Sequence, residues 1–592
     1  MKTTLRTLTA GAAFSALSML TDAAPGDLDL TLNGTGKVTT SFDYPDPSSP
    51  TDIGTGIAVQ SDGRIVVCGI PARADFGLVR YLANGALDTS FGAGGKVTTS
   101  FYAPTNYDEG AFAVALQSDG KIVAGGYGLP YFPEAVMALV RYSPIDGSLD
   151  PTFGVGGKAP AGNSGAQVNA LKLKNSIAYG IAIQSDGKIV AVGQSEHGGI
   201  NESNLAMVRF NPDGTLDTGF GPGTTPGAVT TDINASRGFG GASVARGVVL
   251  QSDGKIVVAG YTYGGPAGQT DDFVLVRYLT NGELDPSFGT GGIVTTDLQG
   301  SSHDRAFGLA LQKDGRIVLV GYSVPPGGSN TDVALVRYLT NGALDPSFGS
   351  AGTGIVINSF SASTDRASSV VIQGDGRIVV AGNAFVGGFN NADSLVARYL
   401  PNGTLDPAFG IGGKVLTNIG GADYLNGVAL QADGRIVAAG AGETTSNQTD
   451  FSLLRLESGS AGDTDGDGLC DTWELTYWPT VVGHSAGDDF DHDGVPELLE
   501  EAFGLNPTVP DSALMPRPVA EAGYLTMTIT KHPCVIYEVQ SAGTLLDGQP
   551  ASFSATTTTV LLDNATTLKV RDNVLIGTPP ARFLRVQVTS AP

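Results

Sequence analysis

The sequence is poor in positive charge. Its 592 residues include 34 Lys and Arg against 58 Asp and Glu, which gives a formal net charge of −24 at pH 7. Nucleic-acid phosphates and anionic membrane surfaces attract proteins with an excess of Lys and Arg, so neither is expected as a partner. Beyond its first segment the chain also lacks an apolar run long enough to span a bilayer.

Cysteine is scarce as well, with three residues in the chain. Cys68 lies in a short apolar run and is predicted to be a small buried side chain. Cys470 and Cys534 leave two alternatives open, a disulfide or two separate thiols, because two cysteines at unknown distance do not establish a bond.

Histidine is equally sparse, and its five copies are scattered over unrelated parts of the chain. No nucleophile elbow, zinc-ligand pair or phosphate-binding loop accompanies them. An enzyme is expected to gather titratable groups in one site. We therefore assign no catalytic and no cofactor-binding residues from the sequence, and expect a protein that is not an enzyme.

What the chain does have is one unit repeated seven times. Apolar and β-branched runs alternate with turn residues too closely for helices, which predicts four short strands per unit, with Asp-Gly as the hairpin turn between the first two. Seven such units predict an all-β fold, a seven-bladed β-propeller over residues 25–456. The motif Gln-x-Asp-Gly-(Lys/Arg)-Ile-Val opens the copies at Gln60, Gln117, Gln184, Gln251, Gln312, Gln373 and Gln431.

The turn after the third strand fixes a register. Its loop, Thr280-Asn281-Gly282 in one unit, fits a type I turn closed by a left-handed glycine and places Arg277 opposite Asp285. A cross-strand ion pair is therefore expected in each such blade, and an element present in every blade is scaffold rather than binding site. The equivalent pairs are Arg80–Asp88, Arg141–Asp150, Arg209–Asp217, Arg337–Asp345 and Arg398–Asp406.

The two ends of the repeat region complement each other. Residues 28–40 match only the fourth strand of a unit, and residues 451–456 match only the third. The N-terminal segment is therefore predicted to supply the missing strand of the last blade, which would close the ring and leave no free edge.

The repeated elements, Gln-x-Asp-Gly-(Lys/Arg)-Ile-Val, Leu-Val-Arg-Tyr and Asn-Gly-x-Leu-Asp-x-x-Phe-Gly, resemble those of the delta-60 repeat family of bacterial proteins. The resemblance covers roughly residues 26–456. It implies a propeller-like fold, with no catalytic residues and no assigned substrate.

Residues 1–24 are typical of a secretory signal. Lys2 and Arg6 precede an apolar run from Leu8 to Leu20, and small residues follow. Cleavage is expected after Ala23 or Ala24, which predicts a protein that is secreted or held at the cell surface. A buried first helix is the alternative.

Segments of variable length join the second and third strands and should gather on one face of the ring, where loops on a rigid scaffold usually carry binding. Aromatic residues lie in or beside them. Two roles stay open for these rings, stacking on sugars or peptide side chains, or capping the blade cores. The residues are Tyr127, Tyr131, Phe132, Tyr261, Tyr263, Tyr322 and Phe385.

A short linker, residues 457–462, leads to two twelve-residue loops within a module over 463–508. Carboxylates at positions one, three and five, glycine at six and glutamate at twelve fit the calcium-loop pattern. This set of ligands suits Ca²⁺ better than Mg²⁺. A chance acidic turn is the alternative. The predicted ligands are Asp463, Asp465, Asp467, the Leu469 carbonyl, Asp471 and Glu474 in the first loop, and Asp489, Asp491, Asp493, the Val495 carbonyl, Glu497 and Glu500 in the second.

These loops resemble those of EF-hands, dockerins and thrombospondin type 3 repeats. No helix is predicted before the first loop, so a dockerin-like half-hand is the closer likeness, with short helices over Thr472–Trp478 and Leu498–Phe503. Residues 515–592 return to strand patterning and predict a small β-sandwich-like domain.

Together these features predict a calcium-binding propeller that acts as an adhesion or scaffold module, as a monomer, on an unidentified protein or surface polysaccharide. The alternative is a carbohydrate-active propeller, either a lectin or a glycan hydrolase or lyase. An acidic cluster facing the channel would favour the alternative.

Overall fold

We analysed a computed structural model of the chain. It describes residues 24–590 except for 43–50, 73–74, 102–108, 132–133, 160–172, 197–201, 223–224, 234–240, 264–269, 387–390, 432–433, 446–447, 459–468, 470–472, 474–475, 479–486, 511–514, 517–518, 522–523, 531–534, 543–557, 564–566 and 576–582.

The repeat region forms seven four-stranded antiparallel blades, as predicted. Blades 1 to 3 follow a first strand, β1 (Lys37–Thr40), which belongs to blade 7. They comprise β2 (Ile53–Val59), β3 (Ile65–Ile70), β4 (Phe76–Tyr81) and β5 (Lys96–Thr99); β6 (Gly110–Leu116), β7 (Ile122–Tyr131), β8 (Glu134–Tyr142) and β9 (Lys158–Ala159); and β10 (Lys174–Ile183), β11 (Ile189–Glu196), β12 (Ser203–Phe210) and β13 (Ala228–Thr231).

Blades 4 to 6 repeat the same order, and blade 7 takes its fourth strand, β1, from the other end of the repeat region. The four blades comprise β14 (Ala242–Leu250), β15 (Ile256–Tyr263), β16 (Asp272–Tyr278) and β17 (Ile293–Thr296); β18 (His303–Leu311), β19 (Ile317–Val324), β20 (Asp332–Tyr338) and β21 (Ile355–Asn358); β22 (Asp365–Ile372), β23 (Ile378–Phe385), β24 (Ala392–Tyr399) and β25 (Lys414–Thr417); and β26 (Asp423–Leu430), β27 (Ile436–Thr445) and β28 (Gln448–Leu456) with β1.

The first strand of each blade contacts the first strand of the next, from β2 round to β26 and back to β2. These seven innermost strands therefore surround the channel. Because successive strands alternate in direction, the Asp-Gly and Asn-Gly turns lie on one side, the lower face. The connections from second to third strand and from blade to blade lie on the other, the upper face.

The middle strands of each blade are apolar because they are covered on both sides. All six residues of β4 are buried, and so are the first five of β3. Cys68 in β3 is fully buried, as predicted, and this burial raises the pKa of its thiol to about 12. The cores thus lie between neighbouring blades, where side chains of adjacent sheets pack together.

The N-terminal segment closes the ring, which confirms the prediction. β1 pairs antiparallel with β28, with Lys37 opposite Leu454 and Thr40 opposite Phe451. The Tyr81 hydroxyl donates to Thr40 Oγ1 at 2.8 Å and so links blade 1 to the added strand. The last blade is complete only when the two ends of the repeat region meet.

The predicted arginine–aspartate pairs are all present. In each of the six, Arg Nε lies 2.7–2.9 Å from an aspartate Oδ2. The structure adds a seventh, Arg455 with Asp29, which joins the third strand of blade 7 to the N-terminal segment. We did not expect this pair, although Leu28-Asp29 stands where other units place Leu-Asp before the fourth strand.

The same arginine ties each blade to the next. Arg209 Nη1 donates to the Thr280 carbonyl at 2.6 Å, in the turn of the following blade, and its guanidinium lies 4.1 Å above the Phe220 ring. Arg455 reaches the Ala83 carbonyl of blade 1 and completes the circle. The arginine is therefore scaffold, as its repetition indicated.

The tail after the propeller has one described helix and two small sheets. α1 (Glu497–Phe503) agrees with the predicted second helix and ends at Gly504, whose φ of 66° suits a left-handed cap. In the first predicted helix, residues 472, 474 and 475 lie outside the described residues. No helix in the described part of the chain is both long and apolar enough to cross a membrane.

The strands predicted after residue 515 are all found. Their two sheets share a core that includes Met527, Val539 and Val570, which agrees with a sandwich-like domain. The strands are β29 (Val519–Glu521), β30 (Tyr524–Thr530), β31 (Val535–Ala542), β32 (Thr558–Asp563), β33 (Thr567–Leu575) and β34 (Phe583–Ser590).

Replacing Asp29 tests the closure. Asp29→Ala leaves Arg455, which is only 3% exposed, without its carboxylate, and breaking a buried pair costs about 3–5 kcal/mol. Urea denaturation should show a loss of this order. Asp253→Ala removes a carboxylate in an exposed turn, where it pairs with Lys255, and should change little. Equal small losses in both variants would contradict the closure.

A second test uses pH. Burial opposes ionisation of Asp285, but hydrogen bonds from Ser287 and the charges of Arg277 and Lys255 lower its pKa to about 2, against about 3.9 in an unfolded chain. Its stabilisation is full above about pH 4 and is lost as pH falls towards 2. The difference in melting temperature between wild type and Asp285→Asn should therefore be constant from pH 7 to 5 and vanish near pH 2. A constant difference down to pH 2 would contradict it.

Candidate functional site

Each innermost strand contains a β-bulge. In β14, for example, the pairing register shifts between Ala245 and Gly247, so Arg246 lies outside the ladder. β-bulges re-aim side chains and are frequent beside binding sites. The seven equivalent residues are Thr55, Phe112, Tyr179, Arg246, Phe307, Ser368 and Asn426.

All seven bulge residues line a single cavity of about 320 Å³, together with Ile53, Ile70 and Arg366. Ile53 begins β2 and Ile70 ends β3, which places the cavity at the upper face. We call it the channel mouth. A bulge in every blade thus turns one side chain per blade towards a common space.

Small residues flank the bulges because neighbouring inner strands pass close to them. A Cβ added at Gly247 would lie 3.1 Å from Leu309 Cβ, and one at Gly180 would lie 3.3 Å from the Arg246 carbonyl oxygen. These are tighter than ordinary contacts. The position after the bulge is therefore constrained, while the bulge residue itself is free to vary from blade to blade.

Among the described residues that line the channel mouth, two arginines are the only charged ones. Arg246 lies 4.0 Å above the Tyr179 ring and donates from Nη2 to the Tyr261 hydroxyl at 3.0 Å. Arg366 lies 5.5 Å from the Phe307 ring. Within the described part of the chain neither forms an ion pair, and the Nε of each is buried without a hydrogen bond. Burial, and then the charge of Arg246, lower the pKa of Arg366.

Aromatic residues of the upper face stand behind the bulge residues. Tyr261 and Tyr322 contact the Phe307 ring at centroid distances of 5.8 and 5.7 Å, and Tyr127 stacks on Phe112 at 6.0 Å. Tyr261 is buried and the other two are half-buried. These rings therefore support the side chains that line the channel mouth. This role is intermediate between the two that the sequence left open, stacking on a ligand and capping the blade cores.

Four of the predicted aromatics remain. Tyr263 contacts Tyr261 at 6.2 Å, and Phe385 contacts Tyr424 of the next blade at 6.4 Å. Both are half-buried. The side chain of Tyr131 and the residue Phe132 lie outside the described residues.

The acidic cluster that would favour a hydrolase is not seen at the channel mouth, since none of the described residues lining it is Asp, Glu or His. Glycoside hydrolysis usually requires a pair of carboxyl groups beside the scissile bond. Asp272, Asp297 and Asp304 do approach one another elsewhere. Asp304, however, accepts the Leu298 N–H and the Ser302 hydroxyl and so holds a connection between blades.

That role of Asp304 recurs in other blades. Asp365 accepts the Phe360 N–H at 2.6 Å, and Asp423 accepts the Ile419 N–H at 2.5 Å. All three aspartates are fully buried at the start of an inner strand. Repetition again indicates scaffold rather than a metal site.

The second predicted calcium loop is folded as a tight turn. The carboxylates of Asp489, Asp491 and Asp493 each place an oxygen within 4.8 Å of the others. The Gly494 N–H donates to Asp489 Oδ2 at 3.1 Å, and the φ of Gly494, 89°, is one that glycine adopts without strain. Val495 is buried and its N–H donates to Asp493.

Two glutamates complete this group. Glu497 and Glu500 lie in α1 and are both 0% exposed. Glu497 Oε1 accepts the Phe490 N–H at 3.1 Å, while its Oε2 is buried without a hydrogen bond. Burial, reinforced by the charges of Asp488 and Asp491, raises the pKa of Glu497 to about 7. The three aspartates are partly buried and the two glutamates are fully buried, and buried carboxylates are costly to ionise without a compensating charge.

The first predicted loop lies almost entirely outside the described residues. Asp463, Asp465, Asp467, Asp471 and Glu474 lie outside the described residues, as do Cys470 and Cys534 and the predicted signal of residues 1–23. Leu469 is described and buried. It packs with Trp473 against the partly buried Leu498 of α1, so the segments that contain the two loops share an apolar cluster.

The channel mouth is not among the sites predicted from the sequence. A signal was available, because each bulge residue stands five positions before the glutamine of the repeat motif. Aligning the units on that glutamine shows a column with a different chemistry in nearly every blade between small or apolar neighbours. A residue type that varies at a fixed distance from a repeated motif is typical of a position that the scaffold does not constrain.

Comparison with known proteins identifies the repeats. A family model described as "Domain of unknown function (DUF5122) beta-propeller" matches residues 60–91, 117–153, 184–220, 251–288, 312–348, 373–409 and 431–465. No curated protein matches the chain.

Some solved structures resemble the chain at low identity. A polysaccharide lyase, Uly1, is 12% identical with a TM-score of 0.38, covering 71% of this chain and 92% of its own. A Penicillium chrysogenum alpha-L-arabinanase is 12% identical at 0.35, covering 58% and 92%. A protein of unknown function from Dyadobacter fermentans is 10% identical at 0.33, covering 71% and 99%. Every one of these TM-scores is below 0.5, so none carries an argument about function.

Proposed function

Because this chain belongs, through residues 60–465, to the family of DUF5122 β-propeller repeats, we propose that it is a non-catalytic binding protein of the cell exterior that receives its ligand at the channel mouth. The observation that carries the proposal is the ring of bulge residues. One position per blade differs in chemistry on an otherwise repeated scaffold, and all seven copies line one cavity.

The chemistry of the lining supports binding. Phe112, Tyr179 and Phe307 offer ring faces, Ser368 and Asn426 offer polar groups, and no described lining residue is a carboxylate or an imidazole. Aromatic faces with a few polar groups are typical of ligand pockets. Within the carbohydrate-active alternative, this set favours a lectin over a hydrolase that uses two carboxyl groups.

We propose further that the tail binds calcium, at the loop over residues 489–500 and at the preceding loop over 463–474. Support comes from the convergence of Asp489, Asp491 and Asp493 and from the complete burial of Glu497 and Glu500. Ca²⁺ prefers six to eight oxygen ligands, and extracellular sites of this type bind at roughly 10⁻⁴ to 10⁻³ M. At that affinity the ion stabilises the tail rather than acting as a signal. Export rests on the signal predicted at residues 1–24.

Replacing two rings tests the channel mouth. The Phe112→Ala, Phe307→Ala double variant removes opposite stacking surfaces and should weaken binding on a glycan and surface-polymer array by about tenfold or more, since each aromatic contact contributes about 1 kcal/mol. Ile145→Ala, an exposed apolar residue of the lower face, is the matched control. Equal binding by both variants to every ligand of the wild type would reject this face as the site.

Calcium binding is tested by titration calorimetry and melting. Glu500→Gln removes the proposed bidentate ligand and should abolish one of two binding events and the chelator-sensitive melting of the tail. Asp488→Asn removes the same charge from an exposed neighbour outside the ligand pattern and should bind normally. A melting curve that chelator leaves unchanged would contradict a stabilising ion.

A further inference from the structure

The channel mouth contains positive charge without its counter-charge. Every other described arginine of the propeller forms an ion pair with an aspartate, including Arg305, whose Nε lies 2.8 Å from Asp271 Oδ2 beside the mouth. Arg246 and Arg366 are the exceptions, and both line the cavity. In a chain of net charge −24, carboxylates were available to pair them. A half-buried guanidinium left unpaired is costly, which points to a partner from outside.

We propose that the channel mouth binds the acidic sugar of an anionic glycan, with Arg246 and Arg366 holding the sugar carboxylate. A guanidinium presents a planar fork of N–H donors that matches a carboxylate. The buried Nε of each arginine has no hydrogen bond. This inference rests on the proposed binding role of the same cavity.

The other lining residues favour a ligand that contains a sugar ring over a free inorganic anion. The Phe112, Tyr179 and Phe307 rings lie in the same cavity as the two arginines, and sugar rings stack on such faces through their C–H groups. A cavity of about 320 Å³ takes a unit of this size, since ligand pockets begin at roughly 300 Å³. A sulfate or phosphate ion would meet the arginines but leave the rings unused.

Polar groups remain for the sugar hydroxyls. Ser368 Oγ is buried without a hydrogen bond in the described structure. Asn426 Nδ2 donates to the Gly54 carbonyl at 2.8 Å, so the amide is held in place while its oxygen stays free to accept. Hydroxyl and amide groups beside ring faces complete a set that matches the four kinds of group on a uronate: carboxylate, ring face, hydroxyl donor and hydroxyl acceptor.

The test is titration calorimetry with the calcium-loaded mature chain. The probes are trimers of galacturonate, glucuronate and mannuronate, each paired with its methyl ester, which keeps the rings and removes the charge. Sodium sulfate and sodium phosphate are the inorganic arm. We expect at least one acid trimer to bind about tenfold or more tightly than its ester, and the inorganic ions to bind weakly.

Variants locate the binding. Arg246→Gln and Arg366→Gln should each weaken binding of the acid trimer by about tenfold or more and leave binding of the ester unchanged. Arg305→Gln is the matched control, because it removes a neighbouring guanidinium that already pairs with Asp271, and should bind as wild type. Melting curves of the three variants establish that each is folded. If Arg366→Gln does not fold, Arg366→Lys, which keeps the charge, replaces it.

Each outcome decides the inference. If acid and ester trimers bind equally, or if sulfate binds as tightly as the acid trimer, the inference of an acidic-sugar ligand is overturned. The cavity would still have a binding role. No binding by any trimer also overturns the inference, and the array measurement with the ring variants then decides the proposed function separately. Loss of binding in Arg305→Gln as well would show that the site is not the arginine pair.

Discussion

The structure depends on a buried arginine that two blades share. Its Nε holds an aspartate of its own blade, and its Nη1 donates to a turn carbonyl of the next blade, as in Arg209 with Asp217 and Thr280. Because a buried guanidinium is costly to leave unpaired, neither blade can shift without losing both contacts. Arg455, bound to Asp29 and to the Ala83 carbonyl, applies the same constraint to the two ends of the repeat region. The ring therefore closes with the interaction that builds each of its blades.

This constraint separates structure from binding. The arginines, their aspartates and the Asn-Gly turns all lie on the lower face and repeat with little change. Since the lower face holds the ring together with one repeated set of contacts, the bulge residues at the upper mouth of the channel are less constrained and differ from blade to blade. A threonine at one bulge and an arginine at another, Thr55 and Arg246, occupy equivalent places in the scaffold. The repeated blades thus form a channel mouth whose lining residues differ from blade to blade.

Most of the architecture could be predicted because it depends on short-range sequence patterns that recur in every unit. The distance between Arg277 and Asp285 in sequence determined their pairing across a turn, and the match of residues 28–40 to a fourth strand predicted closure. The channel mouth could not be found in this way. Bulge residues come together only when seven blades close, and no single unit shows that Arg246 and Phe307 share a cavity. The second predicted calcium loop is intermediate, since its sequence pattern is local but the burial of Glu500 depends on the fold.

An anionic ligand and an acidic protein are compatible because their charges act over different distances. The net charge of −24 is spread over a large surface, where salt at physiological strength screens charges separated by more than about 8 Å. Arg246 and Arg366 act at contact distance, inside a cavity where screening is weak and hydrogen bonds to charged groups are strengthened. The acidic surface therefore disfavours indiscriminate adsorption of polyanions, and the channel mouth admits a carboxylate only where the ring faces and polar groups beside it are also used.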